Sequence, residues 1–398
     1  MQNKYHSLLT TCPGLAGEIS RWVYSWLKYD EPALALGAGI SFVAALKSQR
    51  YQYQGIVPNF YSCLIADSGS GKSQAQEAIE HLINAASIAS IIMGKPPSWQ
   101  GLLAGLEMCS RRFLIWDEFG QAFSELSSTK NGPRALILGT LTELYSYSGR
   151  TYVGGDYADA GKRRKIVITH PSLSVFAAST PEKFFDALSD GQIEDGFLSR
   201  WIFFFGGGGK RKTSHRTPPP EAMINEVMAI EKGAPPSPKK NLTSNTVQEI
   251  GFAAPASLDM YDAQCEQNKI KATNPLIKIL HTRAHVHVIK LSTILADNCS
   301  VPLETLHYAE ELIDFSISQL TPHLTGLGGD ARVKKVSSLM PVGGVISGSE
   351  VYEKTRAFLK STERKQLIQD LLDNDFWSVT KISVPNTKKP KLLYTRHK

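Results

Sequence analysis

Apolar residues recur at two spacings along the chain, and each change of spacing marks a change of element. Leu15, Ile19, Trp22, Val23 and Trp26 follow at helical intervals, and a second, very apolar helix runs from Glu31-Pro32 to Leu46. Short continuous apolar runs of strand length occur at 60–66 (FYSCLIA), 113–116 (FLIW), 173–178 (LSVFAA) and Trp201–Phe205. Helical patterns separate them: a long one from Lys72 to about Met93, one over Trp99–Cys109 and one over 134–147. Strands apolar on both faces and separated by helices predict a parallel α/β sheet with helices on both sides. Residues 150–169 predict a hairpin, TYV and IVI flanking a Gly/Asp/Ala-rich loop.

After the fourth apolar run the pattern breaks. Gly206–Gly209 followed by KRKTSHRTPPP predicts a mobile basic linker, as does APPSPKK at 234–240. Helices are predicted over 255–272, 276–297 and 303–320, and TGLGGD at 325–330 marks a further boundary. The end reads as three helices (331–340, 349–359, 362–373) and two strands (376–384, 391–396), the pattern of a winged helix-turn-helix.

Composition narrows the classes. In 398 residues the charge is +7, but residues 331–398 carry 14 Lys/Arg against 6 Asp/Glu, so the remainder is near neutral. A basic tail on a neutral body suggests a polyanionic partner, although a solvated face would look the same. Five scattered cysteines (Cys12, Cys63, Cys109, Cys265, Cys299) form no CxxC pair, which fits a reducing compartment. No signal peptide is visible, and the longest uncharged apolar stretch, Pro32–Leu46, is shorter than the roughly 20 residues of a membrane helix. A cytoplasmic protein with no membrane partner is expected.

Chemistry enters at Ala66-Asp67-Ser68-Gly69-Ser70-Gly71-Lys72-Ser73, with Gln74 following. This matches a P-loop with Ala in place of the first Gly. Gly69 and Gly71 let backbone N–H groups turn towards phosphate oxygens, Lys72 adds a point charge, and the Ser73 hydroxyl suits Mg²⁺. The strand before and the helix after are the context that motif requires. Some 45 residues on, FLIW ends in Asp117-Glu118. In P-loop enzymes the first carboxylate serves the metal shell and the second polarises the attacking water. Asn268-Lys269-Ile270-Lys271 has lysine where a guanine-reading NKxD needs aspartate, so ATP is favoured over GTP. Ser179 and Thr180 end the next apolar strand, where they either flank the γ-phosphate or simply cap the helix at Pro181. Arg200, in Gly196-Phe197-Leu198-Ser199-Arg200-Trp201, is either an arginine finger or a salt-bridged surface residue. The cluster Lys162, Arg163, Arg164 and Lys165 suits nucleic-acid phosphates or a solvated loop equally.

Taken in order, ADSGSGKS, FLIWDE, the basic hairpin, FAAST and FLSRW resemble AAA+-type ATPases, and most of all the replicative helicase domains of phages, plasmids and genomic islands. The chain is similar to the phage primase–helicase family, and more distantly to superfamily 3 and minichromosome-maintenance helicases. The likeness covers about 30–210 well and 255–320 loosely, and is densest from ALALGAGISFVAAL through IVPNFYSCLIADSGSGKS. It implies that Lys72, Ser73, Asp117 and Glu118 serve ATP and Mg²⁺ in cis, and that Thr180 or Ser179 is sensor 1. It further implies that Arg200 acts in trans in a ring, a hexamer being favoured, and that Lys162–Lys165 grips single-stranded DNA in a central pore. Arg283, in LIKILHTRAHVHVIKL, becomes a candidate sensor 2, with Lys278 and His287 on the same polar face. His281, His285 and His287 lack a partner set for zinc and are expected to pack. A primase, often fused upstream in such proteins, would be a separate chain.

The expected plan is an N-terminal helical segment (1–55), a P-loop ATPase core (56–210), a linker (211–250), a helical lid (251–327) and a winged helix (328–398). In the tail, Leu367, Ile368, Leu371 and Leu372 form a core stripe, with Arg364 and Lys365 pointing elsewhere. Its excess charge favours duplex DNA over a protein contact. The function expected is an ATP-dependent DNA helicase or translocase of a mobile element. The alternatives are an ATP-switched initiator or loader, and a transposition-type regulator that binds DNA without unwinding it.

Overall fold

Parallel strands with no polar face can persist only where both faces are covered, and that condition sets the centre of this molecule. The computed structural model describes residues 2–128, 136–154, 166–188, 196–233, 247–272, 274–324, 343–356, 364–365, 368–369, 371–372, 377–382 and 391–397. They fall into two compact units, Met1–Thr321 and Pro322–Lys398. In chain order the elements begin α1 (Gln2–Thr11), α2 (Gly14–Trp26), α3 (Pro32–Lys47), β1 (Tyr51–Gln52), β2 (Tyr61–Ile65), α4 (Lys72–Ala85), β3 (Ile92–Met93), α5 (Trp99–Met108) and β4 (Arg111–Trp116). Then come α6 (Phe119–Ser128), α7 (Ile137–Tyr147), β5 (Tyr152–Val153), β6 (Val167–Ile168), β7 (Ser172–Ser179), α8 (Pro181–Ala187), β8 (Trp201–Phe205) and α9 (Glu221–Lys232). The larger unit closes with β9 (Gln248–Glu249), β10 (Gly251–Phe252), α10 (Pro255–Lys271), α11 (Pro275–Leu295), β11 (Ser300–Val301) and α12 (Leu303–Leu324).

Five strands form one parallel sheet in the order β3-β4-β7-β2-β8. β2, β7 and β8 are buried along their whole length. The mixed α/β class with a parallel sheet is therefore as the apolar runs predict. The sequence shows four strands, and the fifth, β3, lies where one long helix is expected. That helix stops at Ala85. Ser87 takes a left-handed φ of 57°, a short 3-10 turn follows, and Ile92-Met93 joins β4 at the sheet edge.

α3 is buried from end to end. Glycine brings its backbone close to neighbours on two sides. A Cβ on Gly37 would stand 2.6 Å from the Leu64 side chain, and one on Gly39 would stand 2.8 Å from the Ala16 carbonyl oxygen. Its last residue, Lys47, is buried and donates to the Ile294 and Ala296 carbonyls at 2.9 and 2.6 Å, which ties α3 to the end of α11.

The segment after β8 is not free. Glu31, 1% exposed, accepts from the backbone N–H groups of Gly207 and Gly209, both at 2.9 Å. The Trp22 and Trp26 indoles donate to the Thr217 carbonyl, and Arg216 pairs with Glu77 at 2.9 Å. The composition that predicts a mobile linker at 206–217 thus forms a strap along α2, because backbone atoms and indoles supply partners that composition does not reveal. The basic segment 234–240 lies outside the described residues.

The smaller unit has a three-stranded antiparallel sheet of β12 (Val345–Ser347), β13 (Trp377–Ile382) and β14 (Lys391–Arg396), in the order β12-β14-β13. Helix α13 (Gly348–Thr355) follows β12 and starts with a capping box between Ser347 and Glu350. Ile346, Val351, Leu371, Trp377 and Tyr394 form the core, with Ile368 and Leu372 packed against it. β12 is absent from the sequence reading. Arg364, expected to point away, is 8% exposed, donates to the Thr355 hydroxyl at 2.7 Å and lies over the Tyr352 ring. The helix expected at 331–340 and Leu367 lie outside the described residues. Among the described residues no helix is long and apolar enough to cross a membrane.

Candidate functional site

The chain leaves β2 at Ile65 and enters α4 at Lys72, so the six residues between must reverse direction in a small space. Gly69 and Gly71 do this with φ of +77° and +106°, values an L side chain adopts only with strain. Lys72 curls back over the loop, and its Nζ donates to the carbonyls of Ala66 (2.6 Å) and Asp67 (2.8 Å). Burial lowers the pKa of this ammonium, opposed by the carboxylates of Asp117, Glu118 and Asp67. Ser73 is exposed on the first turn of α4, Ser68 is exposed in the loop, and the Ser70 hydroxyl is buried with no hydrogen-bond partner among the described residues. Gln74 accepts from the Lys28 N–H at 3.1 Å, which joins the turn between α2 and α3 to the first turn of α4.

Sheet order brings the acidic pair to the same edge. β7 lies between β2 and β4, with Ile65 opposite Ser179 and Trp116 opposite Ala177. The residues after Ile65, Trp116 and Ser179 therefore emerge together at the carboxyl ends of adjacent strands. In open parallel sheets this is where ligands bind. Asp117 accepts from the Glu118 N–H at 2.9 Å, and Glu118 takes a φ of +55°, unusual for a residue with a side chain. The Glu118 carboxylate pairs with Lys183 of α8 at 2.8 Å, and this bond is the main cause of its lowered pKa. Ser179 is 3% exposed and its hydroxyl donates to the Thr180 carbonyl. Thr180 occupies the N-cap position of α8, yet its side chain makes no capping hydrogen bond. Chemically, this edge holds two ammonium groups (Lys72 and Lys183), three carboxylates (Asp67, Asp117 and Glu118), serine and threonine hydroxyls and a glycine turn, which is equipment for a phosphorylated, metal-bound ligand. The orphaned Ser70 hydroxyl and the two glycine turns fit such a group. Asp117 and Ser73 are the residues suited to hold the metal.

Arg200 lies at the other edge. It ends a 3-10 turn (Leu198–Arg200) just before β8, level with the start of β2, since Tyr61 pairs with Trp201 and Ile65 with Phe205. About 16 Å of strand separates it from the loop of its own chain. It is held by the Gly196 carbonyl at 2.5 Å and the Ser146 hydroxyl at 3.4 Å, while its Nε is buried with no partner among the described residues. Burial, then the charge of Arg283, pulls its pKa down to about 10. Arg283, on α11, acts on Arg200 through its charge. Lys278 is exposed on the same helix.

Lys162, Arg163, Arg164 and Lys165 lie outside the described residues. The stem of their hairpin is described: Tyr152 pairs with Ile168, Val153 with Val167, and Gly154 N–H donates to Ile166. The stem leads into the amino end of β7, so it shares the Arg200 edge of the sheet.

Four groups escape a sequence reading. Glu31, Lys183, Asn59 and Tyr145 carry no motif, and each acts through a partner far away in sequence. His287 bridges Tyr145 and Ser199, with Nδ1 at 3.0 Å from the Tyr145 hydroxyl and Nε2 at 2.8 Å from the Ser199 carbonyl. Lys290 is buried, lies 3.9 Å above the Tyr145 ring and donates to the Asn59 side chain and, at 3.2 Å, to its carbonyl. No protein-family model matches this chain, and no curated protein matches it.

Proposed function

We propose that the chain is an ATP-hydrolysing motor of the AAA+ type that moves along or separates DNA strands as an oligomeric ring. The observation that carries this reading is the shared edge of β2, β7 and β4: a glycine turn with Lys72, an acidic Asp117-Glu118 turn, and a Ser179-Thr180 turn between them. On this reading the N–H groups of 67–72 and the Lys72 ammonium bind the β- and γ-phosphates. Ser73 and Asp117 hold Mg²⁺, which when bound neutralises charge on the phosphate oxygens. Glu118 orients the attacking water and accepts its proton, and Thr180 donates a hydrogen bond to the γ-phosphate. Arg200 stands too far from the loop of its own chain to serve it, which supports a role at the neighbour's nucleotide and hence a head-to-tail ring. The hairpin that ends in Lys162–Lys165 is proposed to grip one strand.

The smaller unit is proposed as a winged helix that binds duplex DNA. What supports this is the order β12-β14-β13 with helix between β12 and β13, together with the tail's excess of lysine and arginine. Turnover measured with and without single-stranded DNA, and strand displacement on a forked duplex, test the whole reading. Wild type should be stimulated by the single strand and should displace, and Lys72→Ala should do neither. Turnover indifferent to DNA, with no displacement, would leave an ATP-switched initiator or loader as the better description.

A further inference from the structure

Helix α11 carries Arg283, His287 and Lys290 at intervals of four and three, which places them on one face. His287 shows what that face meets. Its Nε2 bonds the carbonyl of Ser199, the residue before Arg200, so α11 is fastened to the turn that presents Arg200. Arg283 sits one helical turn before His287, and its charge acts on Arg200, Tyr145, His287 and Lys290. Among the described residues Arg200, Arg283 and Lys290 form no ion pair with a carboxylate. The Arg200 Nε is buried and donates to nothing among the described residues.

Such a cluster repels itself. Lysine can relieve the repulsion by releasing a proton, and Lys290 is indeed pushed well below the ordinary lysine range, by burial first and then by Arg283 and Arg200. Arginine has no such exit and stays charged. Two arginines with planar donor forks, held by one turn and one helix, are suited to a phosphoryl group from outside. Their own chain's loop cannot supply it, because it lies at the far end of β2.

We propose that Arg283 and Arg200 form one phosphate-binding pair that takes the terminal phosphates of a nucleotide held by the neighbouring copy, and that Arg283 does not serve the nucleotide of its own chain. This rests on the ATPase reading above and departs from a lid arginine acting in cis.

The test mixes two inactive proteins. Lys72→Ala lacks the loop lysine but keeps both arginines; Arg283→Ala keeps the loop but lacks one arginine. Each alone should lose at least about 100-fold in turnover. Mixed one to one, they should recover to about a quarter of wild type, since about a quarter of random head-to-tail interfaces join an intact loop to an intact pair. Arg283→Lys, which keeps the charge and loses the planar fork, should be intermediate in turnover. Size measurement confirms that each variant assembles, and Arg283→Lys carries the mixing test if the alanine variant does not. An active wild type with no recovery on mixing overturns the pair alone. Loss of single-strand binding with turnover intact makes DNA phosphate the ligand instead. A wild type without turnover overturns the ATPase reading and this pair with it.

Discussion

At the scale of single residues, His287 shows how a buried titratable group is fixed by its neighbours. The Ser199 carbonyl can only accept, so Nε2 carries the proton and Nδ1 accepts from the Tyr145 hydroxyl. Burial, outweighing the Ser199 bond, lowers its pKa to about 3. A histidine that titrates near 6.5 when unfolded and near 3 when folded costs nothing above pH 6.5. Below it the unfolded chain binds a proton that the folded one refuses, so stability falls by about 1.4 kcal/mol per pH unit down to pH 3. Denaturant unfolding between pH 7 and 4 should show this slope, and His287→Gln should lack that part of it. Parallel curves would mean that the imidazole is not held neutral. Lys183 is the second case. Its bond to Glu118 weakens that carboxylate as a base, so Lys183→Ala should raise basal ATP turnover by about two- to tenfold without changing nucleotide affinity. A fall in turnover would show that Lys183 positions Glu118 rather than restraining it. The motif residues were legible because a Gly-Ser-Gly-Lys turn and an acidic strand end are local patterns. Their partners were not, since Glu118–Lys183, Tyr145–His287 and Asn59–Lys290 span 65, 142 and 231 residues.

At the scale of elements, space rather than propensity decides what glycine does. Gly39→Ala would set a Cβ 2.2 Å from the Ser20 hydroxyl and 2.8 Å from backbone oxygen of α2. The gain in helix propensity is about 1 kcal/mol, and overpacking costs about 1–3, so a net loss of up to about 2 kcal/mol is expected. Gly139, exposed within α7, has nothing within 4 Å of its would-be Cβ, and Gly139→Ala should gain about 0.5–1 kcal/mol. Thermal unfolding of the two variants should move in opposite directions. Helices with a strong apolar pattern, such as α2 and α3, were readable in advance. β3, two residues long, and the strap along α2 were not. An edge strand that short carries no period, and a strap held by carbonyls and indoles looks like a loop in composition.

At the scale of the whole molecule, charge and chemistry are divided between two units. Removal of residues 343–398 should leave ATP turnover within about threefold of the full chain while lowering duplex-DNA affinity at least tenfold at moderate salt. Equal duplex binding by both forms would make the smaller unit a protein-contact module. The parallel sheet was legible because its strands are apolar on both faces. Strand order was not, although it alone explains why residues 72, 117 and 179, far apart in sequence, share one edge.

Asn59 holds the buried Lys290 amine, and the strand that begins two residues later ends in the Ala66–Gly71 turn. β2 is hydrogen-bonded on both sides, to β7 and to β8, and so behaves as a stiff rod rather than a hinge. Axial slip of β2 alone would break both ladders, so a pull on Asn59 is shared by β7, β2 and β8 together. The same fastening that hides a lysine therefore anchors the glycine turn to three strands at once.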